Sequence, residues 1–96
     1  MFIEKYVDAF HLNLIKNTYD EALFSILDES KFKSIYDIFK KYKFYFIEDI
    51  ITNYLDLFLE EPTQIEENII LLKNKLGTHF VYLIGEDMSL LDTLYF

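Results

Sequence analysis

The chain has 96 residues, of which 52% are hydrophobic, and its formal net charge at pH 7 is −8. This length suits one domain and leaves no room for a second core, so we expect a single helical domain over residues 1–96. The absence of cysteine excludes disulfides and thiolate chemistry.

The first two predicted elements are amphipathic helices. Apolar residues recur at helical spacing between Ile3 and Leu14, which predicts a helix over roughly 2–16. Residues 10–15 also alternate in polarity, which allows a strand there instead. Thr18 and Glu21 have the spacing of a capping box, which predicts a second helix over about 19–29.

The third predicted element is the lysine-rich segment 31–46, KFKSIYDIFKKYKFYF, which carries five of the nine lysines among seven aromatic rings. On a helical wheel Phe32, Tyr36 and Phe39 fall on one side, and most of the lysines fall on the other. We therefore expect a helix whose rings face the core and whose lysines are solvated. Lys43 alone falls within the apolar arc, which predicts a bend near residues 42–44.

The same segment also has a nucleic-acid interpretation, in which it is the second member of a helix-turn-helix with residues 19–29. The lysines that would contact DNA are Lys31, Lys33, Lys40 and Lys41. Three features disfavour it: the rings lie opposite the lysines, arginine is absent, and the net charge repels a polyanion. We expect neither a nucleic-acid partner nor a membrane contact, because the acidic half would face anionic lipid unfavourably.

The second half of the chain predicts further short helices. A fourth helix is expected over about 45–60, and Pro62 marks the boundary that follows it. Thr63 and Glu66 form a second capping-box pattern, and Gly77 is the expected end of that helix. Residues 78–84 suit a helix or a buried strand, and residues 89–96 a last short helical turn. The fold predicted is an all-α, compact bundle of five or six short helices; the alternative is α+β, with strands at 10–15 and 78–84.

The excess negative charge lies in the second half. Residues 1–43 contain seven lysines and seven acidic residues, whereas residues 44–96 contain two lysines and ten acidic residues. Asp49, Asp56 and Glu60 are spaced to share one side of the predicted fourth helix. Such a surface could bind a basic cleft, or it could only keep the protein soluble. The candidate acidic face consists of Asp49, Asp56, Glu60, Glu61, Glu66, Glu67, Glu86 and Asp87.

No residue pattern indicates catalysis. The carboxylates are predicted to point outward, where a catalytic pKa shift is not expected, and no serine has a histidine neighbour. His11 and His79 are interpreted as isolated packed or rim histidines rather than metal ligands. We therefore expect no enzyme activity, no metal, no cofactor and no small-molecule ligand.

The surplus of apolar side chains predicts a protein partner. Of the 96 residues, 44 are Phe, Tyr, Ile or Leu, more than a small domain easily buries. The apolar end Leu94, Tyr95 and Phe96 is expected to dock on the chain's own core, with a dimer interface as the alternative. The predicted function is a non-catalytic protein-protein interaction module that forms a homodimer. The alternative is a small acidic inhibitor, of the type used by phages or toxin systems, that occupies a basic nucleic-acid-binding cleft.

With no basic leader or long apolar run, a cytoplasmic protein is expected, and the composition is typical of an AT-rich bacterial or phage genome.

Overall fold

The computed structural model describes residues 1–95, which form α-helices and 3₁₀ helices and contain no strand. The six α-helices are α1 (Ala9–Thr18), α2 (Glu21–Ile26), α3 (Glu29–Lys41), α4 (Ile47–Asn53), α5 (Pro62–Leu76) and α6 (Phe80–Glu86). Three 3₁₀ helices, Phe2–Lys5, Leu55–Leu59 and Met88–Leu94, lie between or beside them. The all-α prediction is confirmed. The strand alternative is wrong, because residues 10–15 lie within α1 and most of 78–84 lies within α6.

The lysine-rich helix α3 is the centre of the fold. Its residues Phe32, Ile35 and Phe39 are fully buried, and the ring of Phe32 stacks on that of Phe58, with centroids 4.5 Å apart. α3 packs against α4, α5 and the 3₁₀ helix Leu55–Leu59. The prediction that its rings turn inward is confirmed for Phe32 and Phe39, whereas Tyr36 is half-buried. The predicted bend near 42–44 is also present, since α3 ends at Lys41 and Lys43 has a positive φ of 64°.

The predicted first helix is divided in two. The 3₁₀ helix Phe2–Lys5 ends before Tyr6, and α1 begins only after Asp8, whose carboxylate accepts the backbone N–H of His11 at 2.8 Å. This side-chain cap satisfies one of the free N–H groups at a helix start, so a new helix begins here. The predicted capping box at Thr18 is wrong, because Thr18 lies inside α1 and its hydroxyl donates to the carbonyl of Leu14.

The predicted fourth helix also stops early, at Asn53. The Tyr19 hydroxyl donates to the carbonyl of Thr52 at 2.8 Å and accepts the N–H of Leu55 at 3.3 Å. These bonds satisfy backbone groups at the break between α4 and the following 3₁₀ helix. The chain then turns, and Leu55, Leu57 and Phe58 are buried. The apolar periodicity did not indicate that α4 ends here, because the hydroxyl that bonds to its last turn comes from Tyr19, which is distant in sequence.

Helix α5 begins two residues earlier than the capping-box pattern implied, and the predicted capping box is wrong because Thr63 lies inside the helix. Its N-cap is Glu61 and Pro62 occupies the first turn, a position where proline needs no N–H partner. The helix ends at Gly77, as predicted. None of the helices in residues 1–95 is both long enough and apolar enough to cross a lipid bilayer.

Removing the Tyr19 hydroxyl tests its structural role at the end of α4. Tyr19→Phe should lower the free energy of unfolding by about 1–3 kcal/mol, because a partly buried carbonyl and a buried residue's N–H lose their partner. Urea unfolding followed by circular dichroism measures the change. The matched control is Tyr82→Phe, whose ring is half exposed and for which we expect a change within about 0.5 kcal/mol. Equal losses in the two variants would argue against a structural role for the Tyr19 hydroxyl.

Candidate functional site

An open cleft of about 430 Å³ lies where the N-terminal segment meets α3, α4 and the turn between them. Its aromatic lining includes Tyr6, Tyr36 and Phe46, and its polar lining includes His11, Glu48 and Asp49. These groups come from the N-terminal segment and the start of α1, from the second half of α3, and from the turn before α4 and its first turn. The cleft therefore combines ring faces with carboxylates, two kinds of surface that attract cations.

His11 lies among three carboxylates in this cleft. Its Nδ1 is 2.7 Å from Oδ1 of Asp8 and 3.4 Å from Oε2 of Glu48, and its Nε2 is 3.3 Å from Oδ1 of Asp49. The backbone N–H of Asp8 also donates to Oε2 of Glu48 at 2.9 Å. Both ring nitrogens thus face carboxylates, and the contacts join the start of α1 to α4. The interpretation of His11 as an isolated histidine is wrong.

These contacts change the protonation of the cluster. The hydrogen bond with Asp8 raises the pKa of the His11 imidazole, partial burial opposes the rise, and Asp49 and Glu48 add to it. The backbone N–H of His11 lowers the pKa of Asp8, and the imidazole lowers it further. The cluster therefore favours a positive charge between its carboxylates.

Tyr45 stands at the rim of the cleft and is 75% exposed. Beyond the rim it reaches α6, where its hydroxyl lies 2.9 Å from the position that a Cβ atom on Gly85 would take. Tyr82 and Glu86 lie one helical turn apart on α6, and a hydrogen bond with Glu86 raises the pKa of Tyr82. We call Tyr45, Tyr82 and Glu86 the tyrosine surface. The missing side chain at Gly85 allows Tyr45 to approach α6.

The candidate acidic face is not one continuous surface. Because α4 ends at Asn53, Asp49, Asp56 and Glu60 do not share one helix side, and that prediction is wrong. Asp56 accepts the Tyr95 hydroxyl at 2.7 Å, and Asp49 faces His11.

Two further acidic residues of that candidate face bind lysines of α3. Glu61 lies 3.1 Å from Lys31, and Glu66 lies 2.6 Å from Lys41 and accepts the Tyr42 hydroxyl at 2.7 Å. Glu67, Glu86 and Asp87 are exposed, and Asp87 also accepts the backbone N–H of Ser89. The charges of Glu61 and Glu66 are therefore partly neutralised by lysines of the same chain.

The lysines of α3 are largely engaged by the chain itself. Besides the pairs of Lys31 and Lys41, Lys33 lies 2.7 Å from Asp37, and Lys40 lies 5.7 Å above the centre of the Tyr36 ring. A DNA contact through these lysines would have to displace those partners. The aromatic rings of Phe32 and Phe39 are buried and do not share a surface with the lysines.

Leu94 and Tyr95, the described residues of the candidate apolar interface, contribute little exposed apolar surface. Leu94 is fully buried in the chain's own core, so it is not available as an interface residue. Tyr95 is half-buried, and burial together with its hydrogen bond to Asp56 raises its pKa. Phe96, the third residue of the candidate apolar interface, lies outside the described residues. His79 is exposed just before α6.

Sequence reasoning missed both the His11 cluster and the tyrosine surface. One signal was present in the sequence: Asp8 and His11 are three residues apart, the spacing at which an N-cap carboxylate accepts a backbone N–H of the first helical turn.

Comparison of the chain with models of protein families, with curated proteins and with solved structures finds no match in any of the three.

Proposed function

We propose that the protein is a non-catalytic module that binds another protein through the tyrosine surface, and that its partner presents a basic segment. The observation that carries the proposal is Tyr45, a large ring that is 75% exposed at the junction of the cleft and α6. A folded chain gains little from leaving such a ring in water. Tyrosine is enriched in protein interfaces, where it supplies contact area and a hydroxyl at low entropic cost.

Charge supports a basic partner. Carboxylates lie on both sides of Tyr45, with Glu48 and Asp49 in the cleft and Glu86 beside Tyr82 on α6. The net charge of −8 would steer a cationic partner toward the molecule as a whole. The ring faces of the cleft also suit a cation, because the chain's own Lys40 ammonium lies above Tyr36.

A second copy of the chain fits this surface less well. In a two-fold dimer the same patch lies on both sides of the interface, so Glu86 of one copy would approach the acidic groups of the other. Both copies also carry a net charge of −8, which opposes their approach. The homodimer predicted from the sequence remains the competing occupant of the surface.

Titration calorimetry with an oligolysine peptide, and with an oligoglutamate peptide of equal length, tests the proposal. We expect wild-type protein to bind oligolysine, with affinity that falls as salt is added, and not to bind oligoglutamate. Tyr45→Ser should weaken oligolysine binding about tenfold or more, since an exposed ring at the centre of a contact is a typical hot spot. Glu86→Gln should weaken it by a smaller factor, because its carboxylate is solvated.

The control is Ile26→Ser on α2, a residue that is 64% exposed and outside the tyrosine surface. Its affinity for oligolysine should equal that of the wild type. Binding that survives Tyr45→Ser and Glu86→Gln together would place the contact elsewhere. Sedimentation equilibrium decides between occupants: a dimer that Tyr45→Ser dissociates would show that the surface binds a second copy.

A further inference from the structure

We propose that Asp8, His11 and Glu48 bind a divalent transition-metal ion of the zinc class beside the cleft that His11 and Glu48 line, with Asp49 positioning the imidazole. Within residues 1–95 these three are the group of potential metal ligands whose donor atoms all lie within 4.8 Å of one another. The inference concerns different side chains from the tyrosine surface and stands without the proposed partner.

The geometry suits a small cation. Ligand atoms about 2.0–2.2 Å from a tetrahedral zinc ion lie roughly 3.3–3.5 Å from each other. Nδ1 of His11 is already 3.4 Å from Oε2 of Glu48, and it is 2.7 Å from Oδ1 of Asp8. To reach that spacing, the Asp8 oxygen would have to move roughly 0.6–0.8 Å away from Nδ1. The ion would replace the proton shared between Nδ1 and Asp8.

The donor set selects the class of metal. One imidazole nitrogen and two carboxylates suit zinc and its neighbours, whereas calcium and magnesium take oxygen ligands alone. Three protein ligands in an open cleft leave a further coordination position for water or an added ligand, as in zinc sites that are not purely structural.

The surrounding contacts hold the ligands in place. The N–H of His11 fixes the Asp8 carboxylate and the N–H of Asp8 fixes that of Glu48, so backbone donors orient both oxygen ligands. Asp49 lies 3.3 Å from Nε2 of His11 and would accept its proton, so Nδ1 is the nitrogen that would exchange its proton for the metal. A carboxylate behind the distal nitrogen is the usual support of a metal-binding histidine.

Calorimetric titration of the metal-free chain with zinc chloride tests the site. We expect one ion per chain, with binding abolished in His11→Gln and weakened at least about tenfold in Glu48→Gln. The control is His79→Gln, which replaces the chain's other histidine and should bind zinc with the wild-type affinity. Titration with cobalt chloride should give the visible absorption of a four-coordinate ion in the wild type and not in His11→Gln.

The role of Asp49 has its own readout. Asp49→Asn should weaken zinc binding by about 10–100-fold and change the ¹⁵N shifts of the His11 ring, which report the nitrogen that carries the proton. Circular dichroism checks that each variant is folded; should His11→Gln unfold, ring shifts of wild-type His11 on adding zinc decide the matter. The proposal is overturned by any of three results: no saturable zinc binding, equal binding by folded His11→Gln, or zinc shifts confined to His79.

Discussion

Phe32→Ala should remove about 3–5 kcal/mol of the free energy of unfolding, a large share of the roughly 5–15 kcal/mol typical of a domain. The Phe32 side chain is fully buried, stacks on Phe58, and has the rings of Phe2 and Tyr6 at 5.3 and 4.9 Å. Alanine leaves a cavity that rigid neighbouring rings cannot close, so the lost contacts are not regained. Urea unfolding followed by circular dichroism measures the effect.

The adjacent residue supplies the control for this change. Lys33→Ala removes an exposed side chain and its surface ion pair with Asp37, for which we expect a change within about 0.5 kcal/mol. A Phe32→Ala protein as stable as Lys33→Ala would mean that the rings of the lysine-rich helix do not form the core.

Gly77→Ala should destabilise the protein by about 1–3 kcal/mol. Gly77 ends α5 with φ 90° and ψ −168°, a conformation that is open to glycine and strained for every residue with a Cβ atom. No atom lies within 4 Å of the position the new Cβ would take, so backbone strain and not a steric clash causes the loss. Thermal and urea unfolding should agree on its size.

Asn74→Ala is the matched control in the same last turn of α5, where the side chain is exposed. We expect its stability to stay within about 0.5 kcal/mol of the wild type. Should Gly77→Ala match it, the end of α5 can rearrange without cost, and the positive φ is not a requirement of the fold.

Helix faces were predictable because periodicity depends on the local sequence. The spacing of Phe32, Tyr36 and Phe39 indicated the inner side of α3, where Phe32 and Phe39 are buried and Tyr36 is half-buried, and Gly77 indicated the end of α5. Helix boundaries were less predictable where a distant group decides them. Asn53 ends α4 beside the hydroxyl of Tyr19, more than 30 residues earlier, and no window around residue 53 contains that information.

The candidate sites were hidden for the same reason. His11 and Asp49 meet across 38 residues, and the pattern around each one is that of an ordinary surface helix. The exposure of Tyr45 depends on the turn after α3 and on the space left by Gly85. Composition indicated an acidic chain with a surplus of apolar side chains, but the His11 cluster depends on the packing of α1 against α4, and the tyrosine surface on the approach of the turn before α4 to α6.

The lysine-rich helix is a structural element, and we propose that a partner binds at the tyrosine surface and not along the lysines. Residue-resolved NMR titration of the ¹⁵N-labelled chain, once with oligolysine and once with single-stranded DNA, tests this proposal most directly. We predict that oligolysine shifts the amides of Tyr45, Tyr82 and Glu86 and that DNA shifts none. Shifts along Lys31, Lys33 and Lys40 on adding DNA, with the tyrosine surface unmoved by oligolysine, would contradict the account.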